Sequence, residues 1–279
     1  MAKISRAVIT AAGPRQRALV LQSLVDRNGE PKQAIQVLLE EALAGGVEEV
    51  AVVIFPGDQA AYRSAAGKFA GHLHFVEQTE PRGYGHALLQ ARAWVGGHSF
   101  LHMVGDHLHV SRGEVPCARQ LTDLAMREDC SVSAVQSTRE RFLPNFGAVG
   151  GKRLPGIENL YQIDEVIEKP TPTEAEQRLI ICGLRAGHYL CFFGMHVFTP
   201  RIFEFIEAQP RAEDQSIPLS PALAMLAKRE RYLAAELQGA RYDIGDRYGL
   251  WAAQLAIGLA GRDREELLAR IVELLASRG

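Results

Sequence analysis

Val50-Ala51-Val52-Val53-Ile54-Phe55 is an unbroken apolar run without polar alternation. Runs of this kind are strands covered on both faces, as in a parallel sheet flanked by helices. The neighbouring segments extend that reading. Upstream, Gln33 to Leu43 carries apolar residues at helical spacing and stops at Gly45-Gly46, a helix C-terminus signal. Before it, Ala7-Val8-Ile9-Thr10 reads as a first strand running into Ala11-Ala12-Gly13. Downstream, His74-Phe75-Val76 reads as a short strand and Gly85 to Trp94 as a helix. Ser99 to Val104 reads as a further buried strand that ends at Gly105-Asp106. Strand and helix alternate, which predicts an α/β fold with a doubly wound, mostly parallel central sheet and flanking helices.

The texture changes near residue 140. Phe146 to Gly151 reads as a strand and turn, Tyr161 to Glu168 as a strand ending at Lys169-Pro170, and Tyr189 to Phe198 as an aromatic, β-branched strand. Thr171-Pro172-Thr173 opens a polar, Glu-rich excursion that reads as a surface loop. Helices return at Pro200 to Ala208 and Pro221 to Arg229. Trp251 to Ser277 is helical with a break near Gly261. In that last segment Leu255, Leu259, Leu267, Ile271 and Leu275 recur at three- and four-residue spacing, an apolar face that could pack on the chain's own sheet or on a second copy in a homo-oligomer. The expected layout is a single domain over 1–279, with halves at 1–140 and 141–250 and closing helices at 251–279.

The bulk numbers narrow the function. The 279 residues are 47% hydrophobic, enough for a full core. Lys plus Arg number 31 against 33 Asp plus Glu, so no basic surface invites nucleic acid. No apolar run approaches the ~20 residues of a membrane span. The N-terminal stretch is too short and strand-like for a signal peptide. Cys117, Cys130, Cys182 and Cys191 show no Cys-x-x-Cys spacing and read as reduced thiols of a cytoplasmic protein.

In an open parallel sheet, ligands bind beyond the carboxyl ends of the strands. Four polar clusters fall there. Gly13-Pro14-Arg15-Gln16-Arg17 could cradle a polyphosphate between backbone amides and two guanidinium groups, or be a solvated loop. Gln78 to Ala87 places Gly83 and Gly85 before a helix, which suits an anion or a flat base. It lacks Gly-x-Gly-x-x-Gly, which disfavours a nicotinamide dehydrogenase. Asp106 suits Mg²⁺, or a helix N-cap. A histidine metal site is not expected from the surrounding His102, His107 and His109, since His102 and His109 alternate along or just beyond the strand. Finally, Glu168-Lys169-Pro170 could bind a sugar hydroxyl and a phosphate, and Asp243-Ile244-Gly245-Asp246 could complete a metal site. Their ordinary readings are an ion pair and an Asx-turn.

In this order the clusters resemble the bacterial UTP–glucose-1-phosphate uridylyltransferases and the wider nucleotidyltransferases that make sugar nucleotides. The resemblance runs from Ala7 to Gly249 and implies a Rossmann-like fold of the nucleotide-diphospho-sugar transferase type, with a smaller β-rich sugar-binding part. It implies that Ala11, Ala12, Gly13, Arg15, Gln78 and Gly83 meet the nucleotide, with Gln78 and Gly83 against the base. Gly147, Glu168, Lys169 and Gly194 would meet the sugar phosphate, Lys169 holding the phosphate. Asp106 and Asp243 would hold Mg²⁺. The implied substrates are a nucleoside triphosphate, UTP by resemblance, and a sugar 1-phosphate, glucose 1-phosphate by resemblance.

One departure stands out. The family signature after the first strand is Gly-x-Gly-Thr-Arg, followed by Pro-Lys and a run to Leu-Val-Asp. Here Gly13-Pro14-Arg15-Gln16-Arg17 leads by a shorter path to Leu24-Val25-Asp26. Arg15 stands for the second Gly and Gln16 for the Thr. Arg17 stands for the signature Arg or takes the place of the missing Lys, which makes it the catalytic cation of the loop. Lys32 follows an insertion, Asn28-Gly29-Glu30-Pro31, and falls too late to replace that Lys. Two functions follow: a Mg²⁺-dependent nucleotidyltransferase that releases pyrophosphate, or a catalytically impaired homologue that binds a sugar nucleotide or phosphosugar as a regulatory or partner protein.

Overall fold

The computed structural model describes residues 1, 3–210 and 216–277. Its centre is a nine-stranded sheet that runs through both halves of the chain. Strands Leu73–Glu77, Glu49–Ile54, Arg6–Thr10 and Phe100–Val104 lie side by side and parallel. These are the apolar runs of the N-terminal half. Every residue from Val50 to Ile54 is fully buried, because helices cover both faces.

Beyond Phe100–Val104 the sheet changes character. His188–Phe198 joins it antiparallel and also pairs antiparallel with Ser131–Arg139. Tyr232–Glu236 is parallel to Ser131–Arg139, and Leu160–Glu168 and Gly147–Arg153 close the far edge antiparallel. The sheet is therefore mixed. Its parallel block is the first four strands, where helical crossovers return the chain to the same edge; among the later strands Gly147–Arg153 and Leu160–Glu168 are joined by a short turn that reverses direction.

One expectation is corrected locally. The Glu-rich excursion is a helix, Pro172–Arg178, because Thr171 and Glu174 form a reciprocal capping box at its start. Helix Cys117–Glu128 and strand Ser131–Arg139 were not assigned from the sequence, although both carry many buried residues. The closing segment divides into Gly249–Leu259 and Arg264–Ala276. The first of these clamps the edge strand Ser23–Val25: Gln254 both accepts from the Val25 amide and donates to its carbonyl. The second packs on the first through Leu267, whose Cδ1 lies 2.3 Å from where a Cβ on Gly258 would sit. Both helices thus pack within the chain, while Val272, Leu274 and Leu275 remain exposed. Three of the four cysteines are buried thiols, and Cys182 is exposed. Among the described residues no helix is long and apolar enough to cross a membrane.

Candidate active site

Two short strands outside the main sheet build an acidic centre. His107–Ser111 pairs antiparallel with Gly239–Asp243, and the register sets Asp243 opposite His107. The Ile244 amide donates to the Asp106 carbonyl at 2.8 Å and ties the two turns together. Gly105, just before, lies flat on the first strand: a Cβ there would come within 2.8 Å of the Thr10 carbonyl oxygen. Asp106, His107 and Asp243 each present one ligand atom, all within 4.8 Å of one another. His107 Nδ1 donates to Asp106 Oδ1 at 3.0 Å, and Gln16 Nε2 donates to Asp106 Oδ2 at 2.9 Å. Burial pushes the Asp106 carboxyl up, but the bonds from His107 and Gln16 outweigh it and hold the group below the ordinary aspartate range.

The two aspartates singled out in the sequence are thus brought together, and the structure adds His107 to them. Its place beside Asp106 was the available signal. His102 and His109 do sit in strands and are buried, away from this cluster. The donor set fits a divalent cation: carboxylates suit Mg²⁺ and Mn²⁺, and an imidazole adds affinity for first-row transition ions.

Next to the cluster is a cavity of about 140 Å³ that Gly147, Glu168, Gly194 and His107 help to line. Register pairs Gly147 with Glu168 across the edge strands. A Cβ on Gly147 would meet Glu168 Oε2 and a Phe192 ring carbon at 2.9 Å, so the bare glycine leaves the carboxylate its space. Ser220 donates to the same oxygen. Gly194 sits at a break in the register of His188–Phe198, with φ 78°, where an L side chain would be strained. A Cβ there would reach Val104 Cγ2 at 2.7 Å and the His107 ring at 3.1 Å. Lys169 follows Glu168 in the left-handed region at φ 47°, and its amide donates to the Phe146 carbonyl. Tyr84, His196 and Ser220 also line this cavity and were missed, because they arrive from three separate elements. Tyr84 is fixed from behind: its hydroxyl meets His102 Nε2 at 2.6 Å while His102 Nδ1 donates to the Val8 carbonyl.

On the N-terminal side, Ala11 and Ala12 are buried at the end of the first strand and Gly13 opens the short helix Gln16–Leu19. A Cβ on Gly13 would press on Gln16 Oε1 at 2.9 Å, disturbing the amide that reaches Asp106. Arg15 is exposed. Arg17 is gripped by Asp58 through Nε and Nη2, each at 2.6 Å, and lies 4.3 Å over the Phe55 ring. Its charge therefore has a partner before any phosphate arrives. Lys32 is tied to Asp26 and Glu40 at 2.7 and 2.6 Å, which gives it a structural use away from the cluster. Gln78 is 3% exposed, and its Nε2 contacts the Gly83 carbonyl at 3.3 Å and His86 Nδ1 at 3.0 Å. Gly83, at φ 99°, starts helix Tyr84–Gln90. The Gln78–Gly85 turn is held by residues 216–218: the Ile217 amide donates to the Arg82 carbonyl and the His86 amide to the Ile217 carbonyl.

The nucleotidyl transferase family matches residues 25–258. A UTP–glucose-1-phosphate uridylyltransferase of Streptococcus pneumoniae is 31% identical, over 92% of this chain and 91% of its own length. One from Streptococcus pyogenes serotype M1 is 30% identical over 98% and 97%. A crystal structure of UDP-glucose pyrophosphorylase complexed with UDP-glucose superposes with a TM-score of 0.76 at 25% identity, covering 91% of this chain and 98% of that one. The UTP-bound enzyme from Acinetobacter baumannii superposes with a TM-score of 0.75 at 23% identity, over 97% and 99%.

Proposed function

Because this chain belongs to the nucleotidyl transferase family and is a nucleotidyltransferase, we propose that it joins UTP to glucose 1-phosphate and releases pyrophosphate. The observation that carries this reading is the juxtaposition of the Asp106, His107 and Asp243 cluster with the Gly147–Glu168–Gly194 cavity. A sugar phosphate seated in the cavity presents its phosphate beside the cluster. A phosphate oxygen then attacks the α-phosphorus, a new P–O bond forms, the bond to the β-phosphate bridge breaks, and pyrophosphate leaves with the electron pair. Bound Mg²⁺ would neutralise charge on the reacting phosphates.

The chain's own residues position and neutralise. Asp106, oriented by Gln16, and Asp243 would hold the cation, with His107 as a third donor. Glu168 would accept from sugar hydroxyls, and Lys169 would meet the sugar phosphate. The nucleotide would lie on the 1–140 half, with Gln78 and Gly83 at the base and Ala11 to Arg15 near the phosphates. The sugar would lie on the 141–250 half. The alternative of an impaired binding homologue is not favoured, since the relatives are named as enzymes and the cluster and cavity are both formed.

The deciding assay is pyrophosphate release from UTP and glucose 1-phosphate with Mg²⁺. The expected result is stoichiometric UDP-glucose. Silence with every common nucleoside triphosphate and sugar 1-phosphate would sink the reading.

Two substitutions probe the nucleotide side. Gln78→Ala is expected to weaken UTP binding about tenfold, the value of one or two hydrogen bonds to a base, and to leave glucose 1-phosphate binding unchanged by calorimetry. Equal weakening of both ligands contradicts a base-reading role. Arg17→Ala is expected to cut turnover by about 10²-fold through loss of a cationic contact, with glucose 1-phosphate binding intact, and Arg15→Ala to do less. The Asp58 clamp requires that Arg17 exchange that carboxylate for phosphate. If Arg17→Ala turns over like wild type, Arg17 only pins the Phe55 turn through Asp58.

A further inference from the structure

A second cavity, of about 280 Å³, lies beyond Phe146, which together with Asn145 lines both cavities. Its wall includes Arg241, from the strand Gly239–Asp243. Arg241 is only 7% exposed. Its Nε and Nη1 are buried and reach no hydrogen-bond partner among the described residues. The guanidinium carbon stacks 3.7 Å over the Phe146 ring. A guanidinium keeps its charge at neutral pH. An aromatic face offsets only part of the cost of removing an ion from water, and buried cations ordinarily have an anionic partner.

Asp243 attracts the guanidinium through space, but no hydrogen bond joins a carboxylate to its Nε or Nη1. Asp243 and Asp246 border the same cavity. However, Asp243 Oδ1 accepts the Gly245 amide and Asp246 Oδ1 accepts the Arg247 amide, both at 2.8 Å. Asp243 also belongs to the cation cluster. Gln136 and Thr138 face the cavity, but Gln136 Oε1 accepts the Arg241 amide and the Thr138 hydroxyl donates to the Gln136 carbonyl. The guanidinium is left with its Nε and Nη1 donors unmet.

We propose that this cavity is an anion subsite in which Arg241 takes a phosphate-class oxyanion. A guanidinium offers paired N–H donors that match two oxygens of such an ion. The oxyanion is either free inorganic phosphate or the phosphate of a phosphorylated sugar. The inference goes beyond the transferase reading and stands on Arg241 alone, whichever base or sugar reacts.

The test is calorimetry on the full chain with inorganic phosphate, glucose 1-phosphate and, as the uncharged control, glucose, with and without Mg²⁺. Wild type is compared with Arg241→Met, which keeps an unbranched apolar stem but removes charge, and with Arg241→Lys, which keeps charge but not the fork. The expected result is at least tenfold weaker anion binding in Arg241→Met, partial recovery in Arg241→Lys, and no change for glucose. Loss confined to phosphate identifies the free ion, and loss confined to glucose 1-phosphate identifies the sugar phosphate. Wild-type affinity of Arg241→Met for both anions overturns the proposal. If Arg241→Met does not fold, titration of ¹⁵N-labelled wild type decides. The arginine Nε–H resonance that is missing in Arg241→Lys must move with one of the two anions, and its failure to move overturns the proposal. Neither readout requires turnover, so a failed pyrophosphate assay leaves this test standing.

Discussion

Asp106→Asn and Asp243→Asn are each expected to reduce pyrophosphate release by about 10²–10³-fold or more, the scale of losing one preorganised charge-stabilising group. The substitution is nearly isosteric and keeps one oxygen. The Asp106 variant can still accept from Gln16 or His107, and the turn that joins it to Ile244 uses only the backbone. The fold is therefore retained and the melting temperature stays close to wild type. What disappears is one of the two carboxylates that would hold the cation, so Mn²⁺ binding, followed by calorimetry or by electron paramagnetic resonance, weakens with turnover. His107→Asn has a smaller effect on Mg²⁺ than on Mn²⁺, because an imidazole contributes more to transition ions. Wild-type turnover in Asp106→Asn would remove the cluster from the reaction.

Glu168→Ala is expected to raise the KM for glucose 1-phosphate by about 10–100-fold and to leave the UTP KM unchanged. Hydrogen bonds to a charged group contribute about 1.5–3 kcal/mol each, and Glu168 faces the cavity from a strand edge where Gly147 leaves its carboxylate free. Ser220→Ala does less, since Ser220 orients Glu168 from the side. Its expected signature is a small KM rise with kcat preserved. A sugar-phosphate KM unaffected in Glu168→Ala would move the sugar elsewhere.

Much of the candidate site was legible because its residues lie at strand ends. Asp106, Glu168 and Gly147 each follow or begin an apolar run that could only be a strand, and a strand end in a sheet of this kind is where ligands meet the protein. The signature loop was legible as a departure but not in its use. Gln16, read as the residue standing for a threonine, proves to be the one that reaches Asp106. Arg17, read as the catalytic cation of the loop, is held by Asp58, forty-one positions away. A salt bridge of that separation leaves no local trace, because it depends on where two loops land after the sheet has formed.

By itself, the amino-acid sequence determined the α/β class, the parallel N-terminal block and the positions of the polar clusters, because burial on both faces and turn chemistry are local consequences of residue type. Only the tertiary structure decided that the later strands reverse direction to make a mixed sheet. It alone set Asp243 against His107 through the pairing of two five-residue strands. It alone left Arg241 buried over Phe146 with no hydrogen-bond partner for its Nε and Nη1 among the described residues. These outcomes depend on register and on contacts between residues far apart in the chain, and such contacts are selected by the packing of the whole core rather than by any local pattern.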